Sequence, residues 1–433
     1  MINFLTRPHL RATYNDYVKE LVSRKSVFTD DTGIRLALNY CAATIKRCAP
    51  GRRTYFDNAG NLISVSPHFN TAHNAVFLSA HVDTVDANPA EWRSVSNPFL
   101  AVETATHIIG RGANDCKAGV ALILLSCHLA DELPLDNVVL LISYREEGNG
   151  AKTSMQIGSD LGGSVPLSAT GNVLLCLENT TKLADPCPCI DIYDREPCNV
   201  FISLVDEVAN VREFLLTNAL WKPVFIAPLS GVPEVKPLRS YLGTSGHSST
   251  IANAENMICK AILHNSLSAL HGGDPVQTSV IDNRVQIYDT SNPGPHRVIL
   301  NYRGLTEIET LKSSIAHIRY EEYHPFLYAA GSDRREDLER SPIKALIRAM
   351  TNEHVETRFV ANPGRSDASA IWNATAFRSK IDILTMGPGT RSHMDGGISR
   401  RTHGPDEAFH KPSGHIAVQY ICDVAKAYLN GDT

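Results

Sequence analysis

Between residues 76 and 178 the chain repeats one pattern, a short apolar run that ends in a histidine or a carboxylate. Val76-Phe77-Leu78-Ser79 leads into Ala80-His81-Val82-Asp83. Val138 to Tyr144, rich in β-branched residues, leads into Arg145-Glu146-Glu147-Gly148, and Asn172 to Leu177 leads into Glu178. The runs have the length and composition of strands, and Gly119 to Leu133 is long and apolar enough for a buried helix. Strands alternating with helices predict a largely parallel sheet flanked by helices. In such sheets the working residues lie beyond the carboxyl ends of the strands, where these polar groups fall.

At 433 residues the chain exceeds what one core usually serves, so two domains are expected. The texture changes after Glu178: Thr180 to Pro197 carries turn formers and cysteines. A mixture of strand-like runs (Val298 to Tyr302) and helical ones (Ala252 to Leu270, Glu307 to Ile318) then continues to about Ala330. The α/β pattern resumes with a helix near Ser341 to Thr351 and a strand at Ile381 to Thr385. The expected arrangement is a discontinuous domain, residues 1–192 and 331–433, with residues 193–330 inserted as a smaller α+β domain. No internal repeat or low-complexity segment is evident.

Composition narrows the function. A net charge of -5, with no basic run interleaved with aromatics, offers no footprint for nucleic acid. The N-terminus lacks the apolar core of a secretory signal, and the longest apolar run, near Val120 to Leu125, is far short of the ~20 residues that span a bilayer. A soluble cytoplasmic protein that binds no membrane is expected. The ten cysteines then default to reduced thiols. Cys187, Cys189 and Cys198 cluster, but Cys-Pro-Cys lacks the spacing of common zinc sites.

The strand ends carry the chemistry. Gly110-Arg111-Gly112-Ala113-Asn114-Asp115-Cys116-Lys117-Ala118-Gly119 adds Asp115 at the entrance to the buried helix. One histidine or carboxylate at a strand end is commonplace. Several carboxylates converging on one side of a sheet repel one another unless something positive sits between them. Zinc accepts imidazole nitrogen and carboxylate oxygen, and two ions ~3.5–4 Å apart can share a bridging carboxylate.

These segments, with Gly387-Pro388-Gly389 and His403-Gly404-Pro405-Asp406-Glu407, resemble the acetylornithine deacetylase, succinyl-diaminopimelate desuccinylase, aminoacylase and carboxypeptidase G family. The resemblance covers both ends of the chain in order. It implies a zinc-peptidase-like α/β catalytic domain with a mostly parallel sheet and an inserted dimerisation, or lid, domain. It implies two zinc ions per chain, with cobalt or manganese able to use the same ligands. His81, Asp115 and Glu178 would bind one ion, and Asp115, Glu147 and His403 the other. Asp83 would orient His81 through its second nitrogen. Glu146, beside the metals but not on them, would be the general base. In a homodimer, His247 of Gly243-Thr244-Ser245-Gly246-His247-Ser248-Ser249 would reach the partner's site and stabilise the oxyanion. Arg303 and Arg365 would hold a substrate carboxylate, a task that suits a planar, permanently charged guanidinium.

The chain departs from the family pattern at three places. The segment between Glu178 and His247 is long and unfamiliar around Trp221 to Pro237, Asn179 replaces the usual proline after Glu178, and His393 rivals His403 as a ligand. The implied activity is cleavage of the amide bond in an N-acyl amino acid or related small carboxylate-bearing molecule. A dipeptidase or carboxypeptidase would use the same metals and base, because these activities differ in the pocket. Phosphoester hydrolysis also uses two metals, but an unmetallated Glu146 better suits a leaving amine that must be protonated. A non-catalytic binding protein is disfavoured because every expected ligand and the base are present.

Overall fold

The computed structural model describes residues 3–147, 151–178, 366–390 and 402–431, together with the backbone of the intervening strands given below. The helices expected at residues 252–270, 307–318 and 341–351 lie outside the described residues, apart from Ile318, which begins a strand. So do Cys187 and Cys189.

The chain opens with α1 (Pro8–Val22) and α2 (Asp31–Cys48), followed by β1 (Arg53–Phe56), β2 (Leu62–Val65), β3 (Ala75–His81), β4 (Val102–Glu103) and β5 (His107–Ile109). Then come α3 (Lys117–Ser126), β6 (Val138–Ser143), α4 (Ala151–Asp160), β7 (Asn172–Cys176) and β8 (Ile190–Asp194). The strands β9 (Pro197–Leu204), β10 (Arg284–Ile287), β11 (Arg297–Arg303), β12 (Ile318–Tyr323) and β13 (Phe359–Asn362) precede α5 (Asp367–Ala374), β14 (Asp382–Thr385), β15 (Ala408–His410) and α6 (Lys411–Asn430). Two compact units result. One comprises Met1–Asp194, Ala329–Asn362 and Ser366–Thr433, the other Arg195–Tyr328 and Pro363–Arg365.

The first unit holds an eight-stranded sheet in the order β1-β2-β6-β3-β7-β14-β8-β13. Its centre is parallel, as the alternation of strands and helices requires: β3 runs parallel to β6 and β7, and β14 parallel to β7. The antiparallel hairpin of β1 and β2 joins β6 on the outside. Successive side chains of a strand face opposite ways, and here both faces are covered. Val76, Leu78 and Ala80 of β3, Val138, Leu140 and Ile142 of β6, and Val173 and Leu175 of β7 pack with residues of α1, α2, α3 and α6. The alternate residues Ala75, Phe77, Val139, Leu141, Leu174 and Cys176 pack with α4 and α5. That is why the strands read as continuous apolar runs. The second unit contains a four-stranded antiparallel sheet, β10-β11-β9-β12.

Helix α3 is shorter than the Gly119 to Leu133 run predicts. All ten of its residues are buried. The amides of Cys127, His128 and Leu129 then bond to the carbonyls of Leu124, Leu125 and Ser126, three residues back, which tightens the chain out of α-helix. Ser126 Oγ also donates to the Ile123 carbonyl at 2.7 Å, competing for the helical acceptor. Leu129 and Leu133 stay buried, so the apolar signal there reported burial and not helix.

Leu140 lies in the centre of the sheet and is 1% exposed. Leu140→Ala is expected to cost about 2–5 kcal/mol, seen as a lowered urea midpoint with unchanged slope in equilibrium unfolding.

Candidate metal centre

Three parallel strands deliver their ends to one edge of the sheet. His81 is the last residue of β3. Glu146 and Glu147 follow β6 by three and four residues, after the chain has left the strand, and Glu178 follows β7 by two. The bend at 146–147 lets two neighbouring residues serve one site, as extended backbone would not. Gly148, which follows this bend, lies outside the described residues. Asp115 stands two residues before α3, and the Asp115–Cys116 peptide is cis.

Asp115 sits between two histidines. His81 Nε2 lies 3.2 Å from Asp115 Oδ1, and His403 Nε2 lies 3.1 Å from Asp115 Oδ2 and 2.7 Å from Glu147 Oε1. One carboxylate thus offers a different oxygen to each histidine. Two ligands each ~2.0–2.1 Å from a tetrahedral zinc stand about 3.3 Å apart, so these donor atoms are spaced as ligands of divalent ions would be. His81 Nδ1 lies 3.0 Å from the main-chain oxygen of Asp83 and 3.4 Å from its carboxylate Oδ1. A carbonyl oxygen can only accept, so Nδ1 carries a proton, and a metal at Nε2 would replace the proton that this nitrogen shares with Asp115.

The Asp83 carboxylate has a larger task than its proximity to His81 suggested. It accepts from the amides of Glu146 (2.8 Å) and Glu147 (3.0 Å), pinning the bend that places both glutamates. Sequence reasoning also missed Asp367 in this part. Its carboxylate accepts from the hydroxyls of Ser143 and Ser154, and its amide donates to Glu178 Oε1 at 3.3 Å. The only signal for it was the Ser366-Asp367-Ala368 segment, where Ser366 caps the start of α5. Gly387 presses against the same ligand: a Cβ there would lie 1.8 Å from the Glu178 carbonyl oxygen, so no side chain fits.

Among the described residues the tightest groups of potential ligands are Asp115, Glu147 and His403, and His81, Asp115 and Cys116. Cys116 thus stands where Glu178 was expected, and Glu178 belongs to neither group. The Cys116 thiol donates to the Leu177 carbonyl at 3.1 Å, and burial raises its pKa well above the usual thiol value, so it is a neutral side chain already bonded elsewhere. Glu178 is close enough to feel the charges of Glu146, His81 and Asp115, and burial raises its pKa well above the usual carboxylate range.

Without a cation the site is electrostatically costly. Burial, with the charges of Asp115 and Glu146, pushes Glu147 up to about 7 against the opposing His403, and burial with Glu146 pushes Asp367 up to about 6. For Asp115 burial acts upward, but the hydrogen bonds from His403 and His81 prevail and lower its pKa. Burial acts to lower His403, yet Glu147 and Asp115 outweigh it and bring it up to about 10. The imidazolium therefore supplies the positive charge that a metal would otherwise supply.

Arg303 ends β11 opposite Pro197, and only its backbone is described. His247, Arg365 and the rival ligand His393 lie outside the described residues. No described helix is long and apolar enough to cross a membrane.

Residues 77–427 match peptidase family M20/M25/M40, and the chain belongs to that family of hydrolases. The resemblance read from the motifs is thereby borne out. A succinyl-diaminopimelate desuccinylase of Variovorax paradoxus (strain S110) is 31% identical over 141 residues, 30% of this chain and 35% of that protein, so the match spans about a third of the relative's length. Human carnosine dipeptidase 1 superposes with a TM-score of 0.61 at 13% identity over 99% of both chains. The di-peptidase Dug1p of Saccharomyces cerevisiae gives 0.59 at 13% identity over 99% of this chain and 98% of its own. The metallo-carboxypeptidase Sso-CP2 of Sulfolobus solfataricus gives 0.56 at 16% identity over 96% of this chain and 99% of its own. At these identities the structures share the fold.

A metal arriving at pH 7–8 must displace the His403 proton, so uptake should release at least one proton and tighten about tenfold per pH unit for each proton released. Calorimetric zinc titrations in buffers of different ionisation enthalpy measure this; a heat independent of buffer would contradict the assignment.

Proposed function

We propose that this hydrolase cleaves the amide bond of an N-acyl amino acid or related small carboxylate-bearing substrate, using two divalent ions, zinc by preference. The supporting observation is Asp115, whose two oxygens face two different histidines as a bridging carboxylate would. His81 and Glu178 complete one site, Glu147 and His403 the other. A bound pair of ions would activate the attacking water and polarise the scissile carbonyl.

The chain's own residues do the rest. Glu146 has no place in either group of tightly spaced donors, yet its charge reaches Glu147, Glu178 and Asp367. It takes the proton from the attacking water and returns it to the leaving nitrogen, which departs as a neutral amine. Asp83 holds the Glu146 amide and so fixes where that shuttle stands. The dipeptidases among the structural relatives favour a dipeptide as the second substrate class, which requires the same base and ligands.

Glu146→Gln keeps the size but cannot take a proton, so turnover should fall at least ~10²-fold with metal content intact. Glu147→Gln and Glu178→Gln should each lose metal, whereas Cys116→Ser should keep it. Elemental analysis and turnover on a panel of N-acetyl, N-succinyl and N-formyl amino acids and dipeptides test both points. A fully active Glu146→Gln, or a Cys116→Ser protein that loses a metal while Glu178→Gln keeps both, would overturn the roles.

A further inference from the structure

The segment that carries His403 does not hold its own shape. His403 (φ 64°) and Asp406 (φ 56°) both occupy the left-handed region, uncommon for residues with a side chain and maintained only where surroundings impose it. The surroundings are supplied at Glu407, which is fully buried. Its Oε2 accepts from Arg111 Nη1 (2.7 Å) and the Gly112 amide (3.0 Å), and its Oε1 from the amides of Asn114 and Asp115 (3.0 Å each). Its own carbonyl accepts from the Gly110 amide at 2.9 Å. Arg111, 1% exposed, sends its other arm to the His403 carbonyl at 3.2 Å. Gly112 (φ 81°) is needed there, since a Cβ would lie 2.5 Å from Thr84 Cγ2. The antiparallel pairing of β15 with β5, Ala408 opposite Ile109, sets the two segments in register right beside these contacts.

We infer that Glu407, through Arg111 and the amides of residues 112–115, is the positioning residue that holds the ligands Asp115 and His403 at the spacing the metal pair requires. The inference rests on the dinuclear reading proposed above. Four N–H donors converge on one carboxylate, which fills its acceptor capacity and makes every bond charge-assisted. The same carboxylate ties the backbone of one ligand to the segment of another ligand nearly 300 positions away. Metal sites depend on such outer partners, whose loss typically costs 10–100-fold in metal affinity or activity.

Glu407→Gln tests this because it is isosteric yet turns an N–H₂ towards two N–H donors. Zinc dissociation constants from chelator competition, and the visible spectrum of the cobalt(II)-loaded protein, are measured beside thermal unfolding of the metal-free form. The expected result is zinc affinity weakened ~10–100-fold, a shifted cobalt spectrum, and kcat lowered with KM nearly unchanged. Wild-type zinc affinity and spectrum with only reduced thermal stability would overturn the inference and leave Glu407 a purely structural residue. If Glu407→Gln does not fold, Arg111→Lys, which loses the second arm to His403, carries the same test, and unaltered zinc affinity there is equally fatal. A wild-type chain that takes up no zinc would instead overturn the metal reading itself, and this inference with it.

Discussion

Buried negative charge at one edge of the sheet is the constraint on which the rest of the site depends. Asp115, Glu146 and Glu178 are buried together around His81, and Glu147 completes the cluster beside His403. Carboxylates crowded in this way either take up protons or gather cations. In the metal-free protein the histidines serve as those cations, and the raised pKa values of Glu147, Asp367 and Glu178 record how incompletely they do so. A site poised between protons and cations suits divalent metals.

The fold concentrates these charges through its parallel centre. Because β3, β6 and β7 run in the same direction, residues that follow them in three distant parts of the chain arrive at one edge. The cost of burying them is limited by hydrogen bonds that leave each carboxylate one task. Asp83 holds the amides at 146–147, Asp367 is held by two serine hydroxyls, and Glu407 gathers the amides around Asp115. The carboxylates satisfied by donors shape the site, and those facing the histidines remain for the metal.

The two tasks cannot be told apart by residue type. Asp83, Asp115, Asp367 and Glu407 are all buried acids, yet of these only Asp115 turns its two oxygens to two different imidazoles. What separates them is the direction of a few N–H groups, and those directions follow from the bend after β6, the start of α5 and the register of β15 against β5.

The sequence by itself determined the strands, the parallel α/β class and the identity of the histidines and carboxylates at the strand ends. Apolar runs and their flanking polar residues are local signals, and burial on both faces of a sheet leaves them undiluted. It also carried the family, because several short motifs recur in order. It overextended α3 to Leu133, since buried residues after a helix look like more helix. Only the tertiary structure decided that Asp83 grips the amides of Glu146 and Glu147, that Cys116 stands beside His81 while its thiol bonds to Leu177, and that Glu407 ties Asp115 to His403. The hydrogen bonds among them join residues 61 to 296 positions apart. No periodicity or spacing encodes such pairings; they exist only once the sheet has brought the segments together.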